Sequence, residues 1–572
     1  MFGFLTRTGY SDRDPLANRE SAELFARTLP LDDPVKTMEA LCDALSIAAR
    51  NRNPNEEQLA VLLGLDLRTE RLRAELLRNS IKHARRSWPP ENTLWQALSD
   101  LSLAFQRAYA RFLRLAREMP ANKAWLEHAP RTLVQFLRHW QIEHLLCLFR
   151  YEQLGPARWR ELHEAYWTGR PLRTRNPATP KAHGSETPTG DASEHEYLQI
   201  LVLQLLNNGE FTPAEVFLAR ERIAVWSKQL CFSFDDVDLR NGNRDAQFVV
   251  DIAGTEALKR APVESAVTPV HLDLGIIVAS IDEEMESHRD PAGSEADSGP
   301  HAQLLPLPLL AKLATAFSAK TARLQWRAER DSAELVTARV VAGLSPIIRT
   351  LHDEWQQLLV TPRAPGPFVD EITITDVGGS WRAAPGGARM DRSTGPRGAA
   401  PNAFGEHAWR IKNRSDSGTL LRGRVDDPYR VIPGSLIALH EGDASGWTIA
   451  VVRRLKRIMR STVEIGVEHI GRSPQGVSIA AVPLDGSAEA ERERFAALFF
   501  RGSIHRPGAP IRTLLLPANE FAVGRRVTLL STSMSYTMRL KEPLEAQSEF
   551  VWSAFEIVAK HTQAPDLRID ST

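Results

Sequence analysis

Residues 409–423 read WRIKNRSDSGTLLRG and contain the spacing Asn413-x-Ser415-x-x-Gly418. A polar residue closes one strand, a serine stands in the turn, and a glycine precedes the next strand. Such a hairpin suits an anion or a base edge, because Asn and Ser carry donors and acceptors while Gly permits close backbone approach. Taken alone, the spacing also describes an ordinary Asx or Ser turn.

Outward from the hairpin, strands follow closely in HAWRIKN, GTLLRGR, GSLIALH, GWTIAVVRRL and TVEIGVEHI, joined by Gly, Asp and Ser turns. Short strands at this spacing predict a small antiparallel barrel. The hairpin, the strand ending in VVRRL (451–455) and the strand EIGVEHI (464–470) together resemble the PilZ family over about residues 407–472. That family folds as a six-stranded barrel and binds the bacterial second messenger cyclic di-GMP. Its pattern is an N-terminal R-x-x-x-R, then [DN]-x-S-x-x-G, then strands close to V-R-R and I-G-V-E.

The resemblance implies an arginine pair ahead of the first strand. Arg389, Arg392 and Arg397 lie at the family's usual distance, but the segment after them cannot form a strand. Further upstream, RLQWR supplies Arg323 and Arg327, with Arg330 three residues on, and the alternating ELVTARVV (334–341) follows. This predicts a barrel over 321–480 interrupted by an insertion at about 346–406, with resemblance resuming over about 320–345. The implied ligand-binding residues are Arg323, Arg327, Arg330, Asn413, Ser415 and Gly418. A helix with a polar arginine face is the alternative for 323–330. Cyclic di-GMP carries two guanines and two phosphates, and Arg forks to guanine O6 and N7 or to phosphate oxygens. Gly418 would keep the backbone clear of a base. Arg453 and Arg454 alternate on one strand, so one of them faces the site and the other solvent.

Upstream, residues 1–170 read as a helical domain. Asp33-Pro34 is an N-cap followed by a first-turn proline. Leu98, Leu101, Phe105, Tyr109, Phe112 and Ala116 share one stripe, and Leu133, Phe136, Leu137, Trp140, His144 and Cys147 another. Residues 171–194 are nearly devoid of large apolar side chains and read as a solvated linker. Residues 195–320 form a mixed helix/strand region. It holds a Thr212–Glu215 capping box, strands in AQFVVDI (246–252) and VHLDLGIIVAS (270–280), and a helix from about Pro306 to Arg330. Residues 481–572 read as a β-rich extension, with a helix near 487–500. The whole is an α+β multidomain chain: a helical N-terminal region, a PilZ-like barrel with a long insertion, and a further β-rich unit.

The 572 residues carry 71 basic and 71 acidic side chains, a formal net charge of +0. That balance disfavours a protein that coats nucleic acid or an anionic membrane. Of the basic residues 12 are Lys and 59 Arg, a bias that follows first from a GC-rich genome. Three dispersed cysteines fit a cytoplasmic setting. No apolar run has the length of a membrane span. His139 to His144 matches no zinc pattern, the acidic run 235–238 fails the calcium-loop positions, and 378–389 lacks the lysine of a P-loop. No metal, cofactor or catalytic constellation is expected, and the chain is not read as an enzyme. The expectation is a cyclic di-GMP receptor whose helical region contacts a protein partner. A barrel that has lost its ligand and serves as a scaffold, or one that binds nucleic-acid strands, are the alternatives.

Overall fold

The computed structural model describes residues 14–51, 54–83, 92–119, 122–174, 192–233, 244–260, 268–288, 305–318, 331–332, 336–360, 409–424, 431–441, 446–459, 461–481, 494–500, 512–530 and 534–562. The chain divides into two compact units, Met1–Trp326 and Arg327–Thr572.

The first unit is built on helices α1 (Arg19–Arg27), α2 (Pro34–Arg50), α3 (Glu56–His83), α4 (Asn92–Glu118), α5 (Lys123–Phe149), α6 (Pro156–Thr174), α7 (Ala192–Gln204) and α8 (Pro213–Trp226). Their starts follow from capping chemistry. Asp33 accepts from the Lys36 amide ahead of α2, and Thr212 and Glu215 close a reciprocal box at α8. The α4 stripe from Leu98 to Ala116 is buried, as is the α5 stripe from Leu133 to His144. Among these apolar side chains lies a buried polar cluster. Asp66 accepts from Arg73 at 2.6 Å and from the Tyr109 hydroxyl at 2.7 Å, and His139 Nε2 stands 3.1 Å away. Burial alone would raise the Asp66 carboxyl, but His139, Arg73 and Tyr109 outweigh it and hold the group below the usual carboxylate range. His144 Nε2 is engaged by Gln204 at 2.8 Å.

A small antiparallel sheet follows, with β1 (Phe232–Ser233), β2 (Gln247–Asp251), β3 (Lys259–Arg260) and β4 (Pro269–Asp273) in the order β1-β4-β2-β3. The strand expected over 270–280 stops at Asp273, whose carboxylate accepts the Gly275 amide at 2.7 Å as α9 (Gly275–Ser287) begins. The apolar run LGIIVAS thus packs as helix, an ambiguity that short apolar segments carry. Helix α10 covers Leu307–Phe317 and ends thirteen residues before Arg330. Residues 319–330 lie outside the described residues, as does the expected strand at 368–377. The flanking helices narrow the expected linker, since α6 runs to Thr174 and α7 starts at Ala192.

The second unit holds two barrels. The first uses β5 (Asp331–Ser332), β6 (Thr337–Ala342), β7 (Trp409–Ser415), β8 (Gly418–Arg424), β9 (Leu436–Glu441), β10 (Thr448–Met459) and β11 (Thr462–Arg472). Antiparallel pairings run β6–β9–β10–β11–β8–β7 and back to β6, closing the wall, while β5 joins β7 ahead of β6. Helix α11 (Leu344–Val360) leaves β6 at Gly343, whose φ of +85° explains the glycine, and the insertion starts there. The second barrel comprises β12 (Gln475–Ala481), β13 (Arg494–Phe500), β14 (Thr513–Pro517), β15 (Arg526–Leu530), β16 (Met534–Ala546) and β17 (Phe550–Thr562), closed as β12-β13-β14-β17-β16-β15. The helix expected near 487–500 is strand β13 over its described part, with Ala497 and Phe499 turned into this barrel's core.

With β6 and β12 each counted first, the two barrels pair their strands identically: first with second and fourth, second with third, third with sixth, sixth with fifth, fifth with fourth. The likeness extends to an irregularity. Strand five bulges at Arg453 in the first barrel, between Val452 and Arg454, and at Leu544 in the second, between Pro543 and Glu545.

Candidate functional site

The expected hairpin is formed by β7 and β8. Ser415 pairs with Gly418, so Asp416 and Ser417 alone make the turn. A bulge between Ile411 and Asn413 inverts the strand's alternation. Ile411 is buried opposite Leu421 in the core, whereas Asn413 pairs with half-buried Leu420 on the outer wall. Asn413, Ser415 and Gly418 are thereby brought together on one outward face.

The turn is held from β11. The His469 amide donates to the Ser417 carbonyl at 2.9 Å, and His469 Nδ1 lies 3.1 Å from the Asp416 carbonyl. A carbonyl can only accept, so Nδ1 carries the proton. In the neutral ring Nε2 then accepts from the Thr419 hydroxyl at 2.9 Å. The Ser415 hydroxyl donates to the Gly418 carbonyl at 3.3 Å, a long bond that a stronger acceptor can replace. Gly418 has a structural reason beyond the expected one: a Cβ there would collide with the Val467 carbonyl of β11.

The bulge at Arg453 changes the expected alternation. Its guanidinium forks to Glu545 with two bonds of 2.6 Å and donates to Glu468 at 2.6 Å. Burial would lower this guanidinium's pKa, but these carboxylates outweigh it and raise it. Arg454 pairs with Gly466 on the outer face and is exposed. Neighbouring Arg414 donates to Glu441 at 2.6 Å.

Arg323, Arg327 and Arg330 lie outside the described residues. Asp331 and Ser332, which follow Arg330 directly, form β5. Asp331 is the cross-strand partner of Arg414 and Ser332 that of Asn413. The backbone that follows the arginine segment is therefore hydrogen-bonded to the strand carrying the motif, although 81 residues separate Ser332 from Asn413 in sequence.

Among the described residues no helix is long and apolar enough to cross a membrane. No curated relative and no solved structure matches the chain. Two family models do. Residues 20–236 match the N-terminal domain of the cyclic-di-GMP receptor FimW, and residues 384–475 match its middle PilZ domain. The PilZ match covers the hairpin and the strands after it, and it starts upstream of Arg389, Arg392 and Arg397. The two spans together cover more than half of the sequence and follow each other in the family's own order, N-terminal domain before middle domain with residues 237–383 between them, so the chain belongs to the FimW family of cyclic-di-GMP receptors.

Proposed function

We propose that this protein binds cyclic di-GMP on the outer face of its first barrel, between the Asn413–Gly418 hairpin and the arginine segment that leads into β5. The pairing of Asp331 and Ser332 with Arg414 and Asn413 carries this reading. It brings the chain just after Arg330 to the motif, so guanidinium groups and hairpin can share one dianionic ligand. Asn413 and Ser415 supply hydrogen bonds to a guanine edge or phosphate, and the arginines supply charge and bidentate contacts. A ligand held jointly by the arginine segment and the hairpin couples the two, and the helical region passes that change to a protein partner. The protein acts as a receptor rather than an enzyme and works in the cytoplasm, in keeping with the free thiols of Cys42, Cys147 and Cys231.

Isothermal titration calorimetry of the full chain with cyclic di-GMP tests the reading. Binding lost on changing Arg323, Arg327 and Arg330 to Ala, and kept on changing Arg389, Arg392 and Arg397, is the expected pattern. The reverse pattern would move the arginine half of the site into the insertion. No heat at tens of micromolar nucleotide and modest salt would sink the proposal and leave the scaffold alternative standing.

A further inference from the structure

We infer that Arg454 is a ligand-contacting residue, and that the site extends from the hairpin across four strands to reach it. The inference rests on the reading of the hairpin face as the cyclic di-GMP site.

The cross-strand register sets out one continuous row. Asn413 on β7 pairs with Leu420 on β8, Leu420 with Gly466 on β11, and Gly466 with Arg454 on β10. Residues so paired point to the same side of a sheet. The two bulges, one in β7 and one in β10, put both ends of the row on the outer wall. Its ends are three strand spacings apart, about 14 Å between backbones.

Gly466 is what lets Arg454 serve this face. Cγ and Nε of Arg454 lie only 2.7 and 2.6 Å from where a Cβ on Gly466 would stand. The side chain is therefore laid across β11 toward Leu420 and the hairpin instead of rising into solvent. Between the ends, Leu420 and Gly466 make a low shelf with an apolar floor, suited to the flat face of a base. The charges around it sharpen the choice. Arg453 is held by Glu545 and Glu468, Arg422 by Glu464 at 3.0 Å, and Arg414 by Glu441. Arg454 has no hydrogen-bond or ion-pair partner among the described residues. An exposed guanidinium leaning over an apolar shelf and facing a polar hairpin fits an aromatic anion, by a fork to its polar edge or by stacking on its face.

The experiment is a calorimetric double-mutant cycle on the full chain with cyclic di-GMP. Arg454→Ala is expected to weaken binding about tenfold to hundredfold, the range of one bidentate contact, with Arg454→Lys in between and the melting temperature unchanged. Gly466→Ala keeps the arginine but pushes its stem off the shelf, and it too should weaken binding. The double variant should be no worse than Arg454→Ala alone, because the glycine acts through the arginine. Wild-type affinity in Arg454→Ala while Ser415→Ala loses binding would overturn this inference and leave the hairpin site standing. Absence of binding in the unaltered chain would overturn both.

Discussion

The two barrels of the second unit share one strand order and one bulge, and they use the same face oppositely. In the first barrel the second, third and sixth strands present Asn413, Leu420 and Gly466 outward, with Ser415 and Gly418 beside them. At the matching register the second barrel presents Leu498, Leu515 and Trp552, with Phe500 and Thr513 beside them. These apolar side chains pack against Leu436, Ile449, Val451 and Ile470 of the first barrel and against Leu344 and Ile347 of α11. Phe500, at the Ser415 position, lies where a side chain on Gly471 would stand. Glu545 occupies the register of Arg454 and reaches back to Arg453. One wall thus became a polar, open face and the other a dry interface. Side chains on the outward positions, not strand order, made that difference, as expected when a fold hosts unlike functions.

Changing Trp552 to Ala tests the interface half of the comparison and carries the largest expected effect. Its side chain is 4% exposed, and truncating a buried Trp costs about 3–5 kcal/mol. A denaturant titration should show the loss. A change below 1 kcal/mol would mean that the two barrels do not depend on this contact.

Asn413→Ala tests the open half. It should weaken cyclic di-GMP binding about tenfold to hundredfold while the denaturation midpoint stays put. Leu498→Ala, at the equivalent position, should do the converse: a lower midpoint and little change in affinity. If both variants act on stability alone, the functional contrast between the faces collapses.

Glu545→Gln removes the carboxylate that the second barrel supplies to Arg453. The fork is partly open, with Arg453 36% exposed, so a loss of only about 1–2 kcal/mol is expected. Because Glu468 pairs with Gly418 and shares Arg453, a modest fall in ligand affinity should accompany it. The smallest effect on ligand binding belongs to a graft. Leu498→Asn, Phe500→Ser and Thr513→Gly together copy the motif into the second barrel without its arginines, and they should lower the denaturation midpoint at least as far as Leu498→Ala does. Calorimetry should still count one nucleotide per chain, and a second site would break the comparison.

Much of this was legible in the residues. The two helical stripes, the caps at Asp33 and Thr212, the hairpin and the barrel strands follow from patterning over a few residues, whereas the split of the first barrel by its insertion was read from the family resemblance. The reading failed where local pattern is ambiguous. LGIIVAS has strand composition, yet from Gly275 it is helix, with Ile277 and Ile281 buried one turn apart and the Asp273 carboxylate accepting the Gly275 amide where the helix starts. The run before Phe500 took the other course because alternate side chains serve the core and the interface at once.

The sequence alone determined the chemistry: an Asn-x-Ser-x-x-Gly hairpin, arginines near a first strand, and apolar runs suited to strands and helices. Such signals are short-range, and local propensity and hydrogen-bonding capacity express them within a dozen residues. Only the tertiary structure decided that β5 pairs with β7 across the insertion, that bulges turn Asn413 and Arg454 to the same side, and that the strands from Gln475 to Thr562 repeat the first barrel's topology with its matching wall buried. Those outcomes depend on cross-strand register between distant segments. A shift of one residue moves a side chain from the core to the outer face, and no local composition records it.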